Sequence, residues 1–294
     1  MKFDKIVIGS SSEAISAAVQ AAKSGQRIAL VSDQAGSGFV SSALLRRAVE
    51  RLLRSGSVTM SAWRREVACE VTAQQDADQA ELDSLGVVVL RGDHRFVDAT
   101  TLFVGDDFIS ADSIVLACGT KSAPLGQAAF DGRSVLSVED FLALEELPRS
   151  MIVVGAGRLG LDHAVVLAML GVEVTIVDEH SNLFDLCGGL MGVSLFEAQA
   201  LDIAIRLGDE VIGIEHRSGQ VATRLASGRA LVADAVLVCT GRVGRTDGLD
   251  LDAAGVGLDE HGRVWCDAAG RTWASNITAI GDVVGFRASS TLAS

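Results

Sequence analysis

The stretch Met151-Ile-Val-Val-Gly155-Ala-Gly157-Arg-Leu-Gly160 constrains this chain more than any other. Its apolar run suits a buried strand, and each glycine answers a separate need. The first makes a tight turn, the second lets a ligand approach the backbone, and the third lets the next helix pack on the strand. A helical stretch from about Leu159 to Leu170 and a second strand from Val172 to Val177 complete a βαβ unit. Asp178 closes that strand about 20 residues after the first glycine, where a carboxylate accepts the hydroxyl protons of a ribose. Gly155, Gly157, Gly160 and Asp178 therefore read as a dinucleotide site. Asp178 and Glu179 would repel a 2′-phosphate, so NAD(H) is expected there in preference to NADP(H).

The same plan occurs once more, near the start. Lys5-Ile-Val-Ile-Gly9 reads as a strand, Glu13 to Ser24 as a helix and Arg27-Ile-Ala-Leu-Val31 as a second strand. Here the turn is Gly9-Ser-Ser11-Ser-Glu13-Ala14. Ser11 stands where a pyrophosphate would approach the backbone, and Glu13 places an anion at a helix N-terminus whose partial positive charge should face phosphate. Ser32 replaces the ribose-binding acid, with Asp33 next to it as a substitute. This first site is expected to be weakened.

Between the two units, Gly86 to Leu90 and Ile114 to Ala117 read as strands, Arg95 to Ser110 as hairpin-like segments, and Ser42 to Arg54 as a helix. Later, Ala230 to Val238 reads as one strand ending at Cys239-Thr-Gly241, much as Ile114 to Ala117 ends at Cys118-Gly119. Gly119 and Gly241 look like the points where the chain crosses between domains. The expected fold class is α/β, with two Rossmann-like dinucleotide-binding domains, the second (122–240) inserted in the first (1–121 and 241–294).

Composition narrows the function. There are 25 Lys and Arg against 38 Asp and Glu, a formal net charge of −13, which opposes binding to nucleic acid or an anionic membrane. Five cysteines are scattered without a Cys-x-x-Cys spacing, so neither a disulfide framework nor a metal site is expected. Without a signal-like start or an apolar run near ~18 residues, a cytoplasmic location is expected.

The two βαβ units, Leu116-Ala-Cys-Gly-Thr120, Val238-Cys-Thr-Gly241 and Ile280-Gly-Asp282, in that order, resemble the pyridine nucleotide-disulfide oxidoreductase family of two-dinucleotide flavoproteins. Gly92-Asp-His-Arg-Phe-Val-Asp98, Gly241-Arg-Val-Gly-Arg-Thr-Asp247 and Gly281-Asp-Val-Val-Gly285 are most similar to the soluble pyridine nucleotide transhydrogenases, with dihydrolipoyl dehydrogenases behind. The resemblance implies FAD in the first domain and NAD in the inserted one, with Asp282 binding the flavin ribityl chain. Gly9, Gly119 and Gly241 join Asp282 as cofactor-binding positions. It also implies departures. The Gly-rich turn Gly36-Ser-Gly38-Phe-Val-Ser41 is short and lacks cysteine, the family's flavin-side lysine falls on Ala43, and its glutamate partner falls on Asp162. The family's C-terminal interface domain is expected to be absent.

The expectation is an NAD(P)H-dependent flavoprotein oxidoreductase that passes hydride between NAD(H) and flavin and then to a small acceptor, and that is not a disulfide reductase. The alternative is a non-catalytic NAD(H)-binding protein with an impaired FAD site. No catalytic residue is assigned, and His94, His163, His180, His216 and His261 are given ordinary structural or surface roles. Gln74 to Asp78 reads as a solvated helix face or loop, and Asp162 as a solvated helix residue.

Overall fold

The computed structural model describes residues 1–33, 40–56, 59–126, 128–182, 192–217 and 219–287. They form two compact units, one of Met1–Gly38, Ala73–Lys121 and Arg242–Ser294, the other of Phe39–Thr72 and Ser122–Gly241. No helix among the described residues is long and apolar enough to cross a membrane.

The first unit starts with β1 (Lys2–Ile8), α1 (Ser12–Lys23) and β2 (Ile28–Ser32). Two further helices, α2 (Ser42–Ser55) and α3 (Met60–Ser84), precede β3 (Val88–Arg91), β4 (His94–Phe96), β5 (Thr101–Val104), β6 (Asp107–Leu116) and β7 (Thr120–Ser122). The sheet runs β3-β2-β1-β6-β5-β4. β1 pairs in parallel with β2 and with β6, so it lies at the centre. Ile6, Val7 and Ile8 are fully buried, as a parallel strand covered on both faces requires. Alanines let α1 sit close to this sheet: Ala14 and Ala18 share a buried cluster with Val7, Ile28 and Val115. The hairpin reading of Arg95 to Ser110 appears as the antiparallel strands β4, β5 and the start of β6.

The second unit contains β8 (Val135–Ser137), β9 (Ser150–Val154), α4 (Arg158–Met169), β10 (Glu173–Asp178), α5 (Gly192–Ala200) and β11 (Ala204–Leu207). β12 (Val211–Arg217), β13 (Gln220–Leu225) and β14 (Ala230–Ala233) make an antiparallel sheet, and β15 (Ala235–Val238) returns to the parallel one. The parallel order is β11-β10-β9-β15-β8. The chain then re-enters the first unit with β16 (Arg242–Gly244), β17 (Val264–Cys266), β18 (Ile277–Ala279) and β19 (Val284–Arg287). β18 pairs in parallel with β6.

Two features differ from the sequence expectation. Ala230 to Val238 is two strands in different sheets, divided at Asp234, whose carboxylate accepts hydrogen bonds from the N–H groups of Arg149 (3.0 Å) and Ser150 (3.3 Å) at the start of β9. Segment 39–72 groups with the second unit although it precedes residue 121. The reason is apolar: Leu44, Leu45, Ala48 and Val49 of α2, with Trp63 and Val67 of α3, share one buried cluster with Leu161, Ala164 and Val165 of α4. Trp63 completes its burial by donating its indole N–H to the Leu45 carbonyl at 3.2 Å. Gln74 to Asp78 lies on the exposed face of α3.

Asp131 anchors the entry to the second unit's sheet. Its carboxylate accepts the N–H groups of Arg133 (2.8 Å), Ser134 (2.7 Å) and Val135 (2.9 Å). Burial by itself would raise its pKa, but the hydrogen bonds from Val135, Arg133 and Ser134 outweigh it and hold the group at about 2. A depressed folded-state pKa contributes stability that is fully present above the unfolded value, about 3.9, and lost as pH falls through the folded value. Asp131→Asn is expected to cost about 1 kcal/mol at neutral pH, allowing for solvent screening of a partly exposed side chain. Its denaturant midpoint should approach that of the wild type as pH falls from 4 to 2, and a constant gap across that window would count against the assignment.

Candidate nucleotide sites

Both expected turns form, with matching backbone. Gly155 N–H donates to the Val177 carbonyl and Gly9 N–H to the Val31 carbonyl, each at 2.8 Å. Cys239 N–H bonds the Val154 carbonyl at 2.8 Å, as Ala117 N–H bonds that of Ile8 at 2.7 Å. Each turn thus joins the ends of three neighbouring parallel strands, the crevice where open α/β sheets hold ligands.

In the second unit the three glycines have the separate roles their spacing implies. Gly155 has φ +107°, and a Cβ there would lie 2.8 Å from the Thr240 methyl. A Cβ on Gly160 would stand 1.9 Å from the Gly155 carbonyl oxygen, so side-chain space is absent where α4 crosses the turn. A Cβ on Gly157 meets nothing within 4 Å. That open cradle, at the N-cap of α4, is the feature a pyrophosphate needs. The adjoining cavity of about 360 Å³ is lined by Gly155, Gly157, Asp178, Cys239, Thr240 and Gly241 among others. Its charged lining is acidic: Asp178, Glu179, Asp209 and Glu210, with no Lys or Arg among the described residues. Hydrogen bonds from the Ser227 hydroxyl and N–H hold Asp209 below the usual carboxylate range. The residues fit a dinucleotide with free ribose hydroxyls.

Asp178 is engaged more fully than its spacing suggested. Its Oδ2 accepts the Ala156 N–H at 2.6 Å, its Oδ1 accepts the His180 N–H at 2.9 Å, and His180 Nδ1 lies 2.7 Å from the same Oδ1. Only 4% of the Asp178 side chain is exposed, against 48% for His180. His180, expected to have an ordinary role, belongs to this site.

In the first unit Gly9 has φ +142° and no room for a side chain, since a Cβ would sit 2.2 Å from the Ala117 carbonyl oxygen. Ser11 has nearly the backbone of Gly157, with φ −75° and ψ 165° against −62° and 174°. The difference is its side chain, whose hydroxyl accepts the Ala14 N–H at 3.3 Å and uses a donor that would otherwise face a ligand. Glu13 is held below the usual carboxylate range, first by its own backbone N–H, against a smaller opposing effect of burial. Its side chain lies beside Gly281, where a Cβ would be 3.6 Å from Glu13 Cγ, so the anion adjoins the turn that carries Asp282. A cavity of about 210 Å³ abuts Gly9 and is lined by Ser32, Asp33, Asp93, His94 and Arg245. Burial pushes the Cys118 thiol in its wall up to about 12, a little offset by Arg245. The turn at Gly9 and Asp33 fit a dinucleotide.

The sequence-derived residues thus divide. Gly155, Gly157, Asp178 and Gly241 share one cavity and Gly9 lines the other, while Gly160 lies behind its turn. Gly119 (φ +69°) and exposed Asp282 line neither cavity. Asp162 is not a solvated helix residue: its side chain is 20% exposed and accepts the Ser42 hydroxyl at 2.7 Å, a short polar pair beside Ala43. Missed residues include His180, Asp93, His94 and Arg245. Asp93, His94 and Arg245 lie in the Gly92–Asp98 and Gly241–Asp247 segments that carry the resemblance, and His180 lies two residues beyond a strand end, but neither signal singles out one side chain. Residues 34–39 of the short Gly-rich turn, and Cys187, lie outside the described residues.

The family model for pyridine nucleotide-disulphide oxidoreductases matches residues 3–294, and the chain belongs to that family. Soluble pyridine nucleotide transhydrogenases of Mycobacterium bovis and Serratia proteamaculans are 32% and 30% identical over 98% and 97% of this chain. The chain spans 67% and 66% of their lengths, about two thirds. Among solved structures, the HOCl-induced flavoprotein disulfide reductase RclA from Escherichia coli has a TM-score of 0.81 at 24% identity, covering 97% of this chain and 67% of its own. LpdA from Mycobacterium tuberculosis has a TM-score of 0.82 at 23% identity, covering 96% and 68%. The α/β fold of a two-dinucleotide oxidoreductase and membership in a class of NAD(P)H-dependent flavoprotein enzymes are thereby established.

One expectation is overturned. The sequence reading denied disulfide reduction because the short Gly-rich turn lacks cysteine, yet a flavoprotein disulfide reductase shares this architecture over nearly the whole chain. The inference rested on one turn, which lies mostly outside the described residues, and the fold gives it no support.

Proposed function

We propose that the second unit binds NAD(H) and the first binds FAD with reduced affinity, so that the chain is an NADH-oxidising flavoprotein. The observation that carries this reading is the open cradle at Gly157, which shares a cavity with Asp178. The unit of 1–38, 73–121 and 242–294 is the flavin side, and the unit of 39–72 and 122–241 the nicotinamide side. When bound, the flavin would accept hydride from the nicotinamide and pass electrons to an acceptor. The protein's own residues orient and select: Gly155 and Gly160 shape the turn, Gly157 leaves room for pyrophosphate, and Asp178 receives ribose hydroxyls. Gly9, Gly119, Gly241 and Asp282 complete the proposed set.

The relatives' activity, soluble pyridine nucleotide transhydrogenation, makes a second nicotinamide nucleotide the first acceptor to assay, beside small quinones and disulfides. A cytoplasmic setting is part of the same proposal and is in keeping with the unpaired thiols of Cys69 and Cys118. Four acidic side chains around the second-unit cavity should make NADH bind more tightly than NADPH. In titration calorimetry, Asp178→Asn is expected to weaken NADH by about 1 to 3 kcal/mol, the size of a charge-assisted hydrogen bond, and NADPH by less. Equal affinities of the wild type for both nucleotides would sink the assignment.

A further inference from the structure

Asp178 is the acid that would receive the ribose hydroxyls, and it is covered. Ala156 N–H takes Oδ2 at 2.6 Å. His180 reaches Oδ1 twice, through its backbone N–H at 2.9 Å and through ring Nδ1 at 2.7 Å. An ionised carboxylate only accepts, so Nδ1 carries the hydrogen in that contact. The backbone on both sides is tied to the adjoining loop: Asp209 N–H donates to the Asp178 carbonyl at 3.1 Å and Gly208 N–H to the His180 carbonyl at 3.0 Å. These backbone bonds fix the strand end independently of the His180 ring contact with Asp178. The imidazole's exposure of 48%, against 4% for Asp178, places it as the outer layer over a buried acid.

We propose that His180 competes with the coenzyme for Asp178 and thereby sets selectivity at the ribose 2′ position. The proposal rests on the second unit binding NAD(H) and deepens that reading. A ribose hydroxyl gains the Oδ1 site that the imidazole holds only by displacing it, so His180 lowers NADH affinity. NADPH has no free 2′-hydroxyl to donate, and it gains much less from an uncovered Asp178. His180 thus narrows the gap between the two nucleotides, and its removal widens it.

The test is a titration of NADH and NADPH into wild type, His180→Ala and Asp178→Asn, followed by tryptophan fluorescence or calorimetry. His180→Ala should bind NADH about tenfold more tightly, the gain from one charge-assisted hydrogen bond, with NADPH changed by about twofold or less. Because the imidazole is half exposed, the fold is expected to survive, and circular dichroism checks this. The wild-type His180 ring resonances should shift on NADH addition and much less on NADPH addition. NADH affinity that falls or stays level in folded His180→Ala would overturn the competition. Failure of the underlying site looks different: wild type would show no NADH binding, or Asp178→Asn would bind it as well as wild type.

Discussion

Gly157→Ala is expected to leave the second unit folded and stable while weakening NADH binding by about 30-fold, whereas Gly160→Ala unfolds it more easily. The contrast follows from what each added methyl meets. At Gly157 it finds nothing within 4 Å, and the residue's φ of −62° suits any L-amino acid. The methyl occupies space intended for pyrophosphate, and overpacking of this kind costs about 2 kcal/mol, close to 30-fold in affinity. At Gly160 the methyl would lie 1.9 Å from the Gly155 carbonyl oxygen, a backbone atom with no easy escape. About 3 kcal/mol of stability should be lost, a fall in Tm of roughly 10 °C for a unit of this size. Thermal melts and NADH titrations on the two variants separate these effects. A Gly157→Ala protein that binds NADH normally would remove pyrophosphate from the cradle.

FAD uptake by the wild type is expected to be weak, with protein purifying largely without yellow colour and taking up FAD at micromolar concentration. Glu13 opposes pyrophosphate by about 0.3 to 1 kcal/mol through its charge at a helix N-terminus. Ser32 forgoes a charge-assisted ribose bond worth about 1.5 to 3 kcal/mol. Together these reach roughly 2 to 4 kcal/mol, some 30- to 1,000-fold relative to an intact turn. Ser11→Gly with Glu13→Gly should tighten uptake by about tenfold, since Ser11 gives up a single capping bond and the anion is removed. Tight stoichiometric FAD in fresh wild-type protein would show that the turn tolerates both side chains.

The βαβ frames were legible because their signals are local. Ile6 to Ile8 and Ile152 to Val154 are apolar runs that bury on both faces, and the alanines of α1 repeat at helical spacing. The glycine turns were legible through their spacing, although only Gly160 answers a demand within a few residues, the Gly155 carbonyl; a Cβ on Gly9 would meet Ala117 and one on Gly155 would meet Thr240, both far along the chain. Contacts between distant parts of the chain were less legible. The break at Asp234 depends on N–H groups at Arg149 and Ser150, and α2 joins the second unit through apolar contacts with α4. Asp162 finds Ser42 across 120 residues, a pairing that spacing does not encode. Asp178 lines the second-unit cavity, but its cover was not legible because a histidine two residues beyond a strand end is ordinary in sequence. The denial of disulfide reduction failed for another reason, since it projected one missing cysteine onto the activity of a whole fold.

Anaerobic addition of NADH to protein saturated with FAD tests the account most directly, with the visible absorbance of the added flavin as the readout. Loss of that absorbance should be much faster than in a mixture of free FAD and NADH, faster with NADH than with NADPH at equal subsaturating concentration, and slowed in Gly157→Ala. Bleaching no faster than in the protein-free mixture, or undiminished in Gly157→Ala, would contradict an NADH-oxidising flavoprotein built on these two turns.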